Sequence, residues 1–253
     1  MSAMNVAKVA AILLGTVGLL SAAPTPSSHV TPATLVERAA KAFSASTRGI
    51  IGMQRHFSTV ISGGPLHHTE DSDSGLLLND GAFVKIKYYR IARDGKPFSS
   101  GEISKRESQT NQDWAAGKVF FKEPYDRRFV GDYHFSDASC TDCPSGSVAL
   151  KFTSSIHDAQ HGSGMMWIET STARVLKLSY VPYALPPHAT SGSVSETSSE
   201  PLHGLWFVTR IHETFGGRAF LISGSGTFNA TIDHFRRFEA LKDGEAALAD
   251  STI

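Results

Sequence analysis

The sequence predicts a mainly β (α+β) fold: a curved antiparallel sheet or incomplete β-barrel, with an N-terminal helix and a helical or loop segment covering the concave face. Three observations predict it. From residue 49 onward apolar residues recur with a period of two, as in strands. About ten such runs follow one another, mostly across short turns, which favours antiparallel pairing. One segment ahead of them carries a helical stripe that can cover a sheet. A sheet this large has to close or fold over something to shield its faces and edges.

The 253 residues suit one large domain or two small ones, and 41% hydrophobic residues exclude wholesale disorder. Lys plus Arg equals Asp plus Glu at 24 each, so no basic excess exists for nucleic acid. Residues 1–23 read as a secretory signal peptide: Lys8, an apolar run from Val9 to Leu20, then Ser21-Ala22-Ala23. The run is too short for a bilayer, which takes about 20 apolar residues. Pro24 disfavours cleavage directly after Ala23 and moves the expected cut one residue earlier. The expectation is an exported protein, periplasmic or extracellular, with no transmembrane segment after signal removal.

Residues 24–33 read as a disordered linker and 34–238 as a single β domain. The helix is "TLVERAAKAFSAST", with Thr34 and Glu37 as a capping box and Leu35, Ala39, Ala42 and Phe43 as its stripe. "IIGMQRHFSTVI" alternates with Ile51, Met53, Phe57 and Ile61 on one face. Asp80-Gly81 and Asp94-Gly95 mark turns on either side of a strand. The polar stretch 98–117, anchored by Phe98, Ile103 and Trp114, reads as a loosely held helix or a long loop, and as a mobile flap or an ordinary connection. Further strands are expected at 119–122, 129–135, 148–153, 165–169, 175–181, 205–215, 219–223 and 228–238. Residues 182–201, rich in Pro, Ser and Thr, read as a loop, and 239–253 as a frayed helix or tail.

Cys140 and Cys143 are the only cysteines. In an oxidising compartment they suit a disulfide at a hairpin tip, with half a metal site or a redox pair as the alternatives. A redox pair is expected to open a helix, and Pro144-Ser145-Gly146 reads as a turn instead. No nucleophile elbow, zinc-protease motif, phosphate loop or dinucleotide fingerprint is present. "SGSGTF" (Ser223 to Phe228) reads as a hairpin turn. The histidines are numerous, 11 in all. His67-His68 beside Glu70, Asp71 and Asp73 fall in an expected loop, and His157 and His161 in a turn, so no metal site is assigned. Glu169 and Asp233 read as structural. No catalytic residue and no cofactor is expected.

"GMMWIETSTARVLKLSYVP" (Gly164 to Pro182) is apolar on both alternating faces of each arm, whereas a half-buried strand has one wet face. The order of segments resembles the LolA/LolB-like superfamily of lipoprotein carriers, including RseB-type periplasmic sensors. The pieces are one capped helix, "RGIIGMQRHF", "LLLNDGAFVKIKY", a polar insertion, the hairpin above, and "GLWFVTRIHETFGGRAFLISGSGTFNATIDHFRRF". That resemblance implies an exported binding protein. It would shelter lipid or lipoprotein acyl chains in an apolar half-barrel, with an envelope protein as a further partner. It also implies a cavity lined by Met166, Ile168, Leu176, Leu178, Tyr180, Phe207, Ile211, Phe215, Phe228 and Ile232. Met165, Trp167, Val175 and Val181 would then pack under a loop or at an edge. Rival expectations are an interaction module with a filled core and an envelope hydrolase.

Overall fold

The computed structural model describes residues 30–63, 66–118, 121–141, 143–185, 188–219 and 222–253. The expected signal peptide and the linker up to residue 29 lie outside the described residues. Helix α1 (Pro32–Ser46) starts one turn earlier than the predicted box. Thr31 is the cap, its Oγ1 accepting from the Thr34 amide, and Pro32 takes the first turn, where no N–H is needed. Glu37 is left to pair with Lys41 on the exposed face.

Among the described residues eleven strands form one antiparallel sheet. In chain order they are β1 (Ile50–Gly63), β2 (Leu66–Asn79), β3 (Ala82–Arg93), β4 (Lys96–Pro97), β5 (Tyr133–Ala138), β6 (Ser147–Ser154), β7 (Gly162–Glu169), β8 (Val175–Pro182), β9 (Ala189–Leu202), β10 (Leu205–Ala219) and β11 (Ile222–Phe238). Their order across the sheet is β4-β3-β2-β1-β11-β10-β9-β8-β7-β6-β5, so the sheet has two edges and does not close. Every neighbouring pair is a hairpin meander except β1 with β11, which brings the two halves of the chain together.

Asp80-Gly81 and Asp94-Gly95 both have positive φ and make the two-residue turns on either side of β3. Helix α2 (Ser100–Ala115) lies between β4 and β5 and settles the polar insertion as a helix; Ser99 and Glu102 cap it reciprocally. Phe121 to Glu123 carry no strand, and Val119 lies outside the described residues.

Three segments read as loops or turns are strand. Residues 189–202 form β9, in which only Val194 and Glu196 are buried; its pairing with β8 and β10 supplies what its side chains do not. The histidine-rich stretch from 66 to 74 is the first half of β2. Ser223 to Phe228 belong to β11 and pair with β10, not to a hairpin turn.

The sheet curls. Tyr88 and Ile91 of β3 and Tyr180 of β8 line one cavity, yet β3 and β8 stand six positions apart, about 29 Å on a flat sheet. On the concave side Leu35, Val36 and Ala39 of α1 pack on Leu150, Phe152, Met166, Ile168, Val175 and Leu178. A second cluster gathers Met53, Leu76, Ile86, Trp114, Leu205 and Ile232. The segment expected as a tail forms α3 (Leu241–Ala249), whose Ala247 and Leu248, with Ile253, cover Ile50 and Leu77 on the other face.

Candidate functional site

The concave face is only partly filled. Between α1, α2, the 121–129 segment and the inner faces of β1, β2, β3 and β8 to β11 lies an open cavity of about 1090 Å³. That is at the upper end of the ~300–1,000 Å³ of small-molecule sites. Close-packed interiors leave few voids larger than a water molecule, so this space is no packing defect.

Strand register builds its wall. Arg55, Phe57 and Thr59 of β1 stand opposite Ile232, Ala230 and Phe228 of β11 and opposite Ser74, Ser72 and Glu70 of β2. Phe215 of β10 stands opposite Gly226, where a Cβ would meet the ring at 2.1 Å, so the glycine seats the aromatic side chain. Phe228 lies between the rings of Phe57 (5.6 Å) and Phe215 (5.0 Å). Phe121 stacks on Tyr180 at 3.7 Å, and Phe43 of α1 meets Tyr125 edge-on at 5.1 Å.

Of the residues expected to line a cavity, Tyr180, Phe207, Ile211, Phe215, Phe228 and Ile232 do so geometrically. Met166, Ile168 and Leu178 are fully buried under α1 instead. Leu176 is displaced by a bulge: Trp167 faces Lys177 while Ile168 faces Val175, so Val175 takes the core position. The second apolar face of the hairpin turns outward. Val181 is exposed, and Trp167 lies under Lys177 and donates its indole N–H to Cys140 Sγ at 3.3 Å. Cys140 and Cys143 are joined as a disulfide.

Charged groups inside the cavity are handled in three ways. Glu70 is bound by Arg93 at 2.7 Å and Arg106 at 3.2 Å, and Asp126 holds Arg128. Glu123 and Glu196 form a buried acid pair. Burial, then the negative charges of Glu196 and Asp126, push Glu123 well above the carboxylate range. Burial pushes Glu196 up to about 7, against hydrogen bonds from Tyr180 and Glu123 that pull it down. Glu196 accepts from Tyr180 Oη at 3.3 Å, and Oε2 of both Glu123 and Glu196 is enclosed with no hydrogen-bond partner. Burial raises Glu213 as well. Arg55 is the third case: its Nε is enclosed with no hydrogen-bond partner.

These polar residues were hidden from sequence reasoning in different degrees. Arg55 interrupts the apolar face of β1 between Met53 and Phe57, which is a signal in itself. Glu196 sits in a segment that reads as loop, which left nothing to notice.

The histidine clusters do not converge on a metal. His68 pairs with Asp94 at 2.9 Å, His157 packs on Tyr183, and buried His161 is held by Asp158 at 2.7 Å and Asp132 at 3.3 Å. Among the described residues His56, Asp233 and His234 do bring three ligand atoms together. That group is solvent-exposed, and His56 is already engaged by Asp73, which Arg90 also holds. Among the described residues no helix is long and apolar enough to cross a membrane.

No protein-family model matches the chain, and no curated protein matches it in sequence. Solved structures to which the chain is similar include a LolA superfamily protein from Nitrosomonas europaea, at 11% identity and a TM-score of 0.39, covering 85% of this chain and 96% of that one. A DUF1329 family protein from Desulfovibrio piger is similar at 14% identity and a TM-score of 0.43, covering 87% and 98%. The MucA/MucB complex of Pseudomonas aeruginosa is similar at 12% identity and a TM-score of 0.26, covering 81% and 99%.

Proposed function

We propose that this protein binds an apolar ligand, a lipid or the acyl chains of a lipoprotein, and acts outside the cytoplasm as a carrier or envelope sensor. The observation that carries the reading is the open cavity of about 1090 Å³ on the concave face, walled mostly by apolar side chains. Burying a methylene is worth about 0.8 kcal/mol relative to water, so a 16-carbon chain gains roughly 12 kcal/mol from water and close to nothing from a membrane. A carrier needs a pocket about as apolar as lipid and a wall that can open. Phe57, Phe215, Phe228, Ile211 and Ile232 meet the first need. Helix α2, which contributes Arg106 and Trp114 to the wall, meets the second. The leader-like residues 1–23 support export, and an envelope protein is the fitting acceptor or signalling partner.

The test is native mass spectrometry of the protein purified without detergent, followed by titration with a fluorescent hexadecanoyl probe. Bound acyl lipid or saturable probe uptake is expected. Ala230→Trp, which fills the wall between Phe57 and Ile211, is expected to abolish uptake while the fold persists. A ligand-free protein that takes up no probe, or unchanged uptake by that variant, overturns the reading.

A further inference from the structure

Among the described residues of the cavity wall, the Arg55 guanidinium has no counter-ion, and its Nε is enclosed with no hydrogen-bond partner. Arg55 lies on the inner face of β1. Its same-face neighbours follow from the register: Met53 and Phe57 along its own strand, Ser74 on β2, and Ile232 on β11. Tyr88, opposite Ser74 on β3, comes next. None is acidic. The guanidinium rests over the Phe57 ring at 5.8 Å, and no carboxylate lies within ion-pairing distance of it among the described residues. The nearest acid on the inner face of β2, Glu70, stands two cross-strand pairs away and is occupied by Arg93 and Arg106.

An enclosed charge is costly unless it is paired. A buried acid can relieve that cost by taking up a proton, and burial raises Glu123 and Glu196 in that direction. An arginine has no such escape, because its guanidinium stays charged in proteins. Burial lowers the Arg55 pKa, with only the Tyr88 hydroxyl acting against it. That direction records the same lack of an anion. Among the described residues no acid pairs with this charge, so the anion is expected from outside.

Resting on the reading of the cavity as an acyl-ligand site, we infer that Arg55 is the head-group site of that cavity and selects long-chain amphiphiles with an oxyanion head, a carboxylate or a phosphate monoester. The head pairs with the guanidinium and with the hydroxyl of Ser72, which lies on the cavity wall opposite Phe57. The chain runs along Phe57, Ala230 and Phe228 on the same inner wall. Arginine suits the role because its planar fork matches both oxyanions through paired N–H donors.

The test compares hexadecanoate, hexadecanol and hexadecylamine by competition against a fluorescent acyl probe, with hexadecanoyl lysophosphatidate as the phosphate arm. Hexadecanoate is expected to bind about tenfold or more tighter than hexadecanol, the strength of one charged hydrogen-bonded contact. Arg55→Met is expected to bring hexadecanoate down to the level of hexadecanol in the same variant, and Arg55→Lys to restore part of the preference. Removing an unpaired charge does not threaten the fold, and unaltered circular dichroism checks this. Stronger binding of hexadecanoate than lysophosphatidate, or the reverse, separates the two head groups. Equal binding of acid and alcohol, tightest binding of the amine, or an acid preference that survives Arg55→Met overturns the assignment and leaves the cavity reading standing. Failure of all four compounds to bind overturns both.

Discussion

Asn111 holds Ile86 by both of that residue's backbone groups. The Asn111 Oδ1 accepts from the Ile86 amide at 2.8 Å, and Nδ2 donates to the Ile86 carbonyl at 3.0 Å. Two residues on, the Tyr88 amide donates to Glu107 at 3.1 Å. β4 pairs only with Ala92 and Arg93, so the rest of β3 would be a bare sheet edge. Helix α2 imitates a missing strand with side chains and masks that edge. A polar helix with a single buried residue, Trp114, is thus fastened by hydrogen bonds more than by apolar packing.

This fastening makes α2 the detachable wall. Asn111→Ala leaves two enclosed backbone groups of Ile86 without partners, a cost of about 1–3 kcal/mol. The expected result is faster amide exchange at Ile86, Tyr88 and through α2, with exchange in β7 and β8 unchanged. Uniform loosening of the whole sheet, or no change at Ile86, would contradict the view of α2 as a separable lid.

The acid pair predicts an unusual pH dependence. Glu196 is raised in the folded state from about 4.5 to about 7, so it contributes stability below the unfolded value and loses it as pH rises through about 7. The loss falls between about pH 5 and pH 8. Glu123 extends the trend to higher pH. Urea denaturation is expected to show the protein weaker at pH 8 than at pH 5.5. Glu196→Gln is expected to flatten the profile chiefly by raising stability at pH 8. A wild-type profile that climbs toward pH 8 would show that the pair is not buried in solution.

What the sequence disclosed tracks what local physics dictates. The Asp80-Gly81 and Asp94-Gly95 turns were legible because positive φ demands those residues. The α1 stripe was legible because it faces a packed core. The Ser99–Glu102 box at the start of α2 went unread, and the low apolar content beyond it kept helix and loop both open. β9 was illegible. Its serines and threonines carry no apolar alternation, so nothing in the pattern marked it as a strand although it pairs with its two neighbours in sequence, β8 and β10. The first half of β2 was hidden for a related reason. Its inner residues Glu70, Ser72 and Ser74 face the cavity and not a core, so the period-two apolar signal fails where the site lies. The Leu176 displacement follows from a bulge, which shifts the face of every residue beyond it and leaves no mark in the apolar pattern.

The hairpin of β7 and β8 depends on its glycines. A Cβ at Gly164 would stand 2.0 Å from the Ser179 carbonyl oxygen and 2.7 Å from Tyr180 Cα, backbone atoms that cannot swing aside. Gly164→Ala is therefore expected to pry the two strands apart and cost about 1–3 kcal/mol or more. Gly101→Ala, at an open position in the first turn of α2, is the matched control and is expected to be neutral or mildly stabilising. Equal midpoints for the two variants in chemical denaturation would refute the close approach.

The disulfide is expected to matter little to global stability. It joins Cys140 to Cys143 across three bonds of sequence at the β5–β6 turn, so it closes a very small loop. On the chain-entropy account such a loop is worth about 2 kcal/mol at most. The β5–β6 ladder runs from Tyr133–Ser154 to Ala138–Ala149 without it, and the cavity wall includes neither strand. Reduction, or paired Cys140→Ser and Cys143→Ser replacement, is expected to lower stability by no more than that amount and to leave probe uptake intact. The local consequence should appear at Trp167, whose indole N–H loses its sulfur acceptor, as a change in tryptophan fluorescence. A collapse of ligand uptake on reduction would instead tie the far edge of the sheet to the cavity.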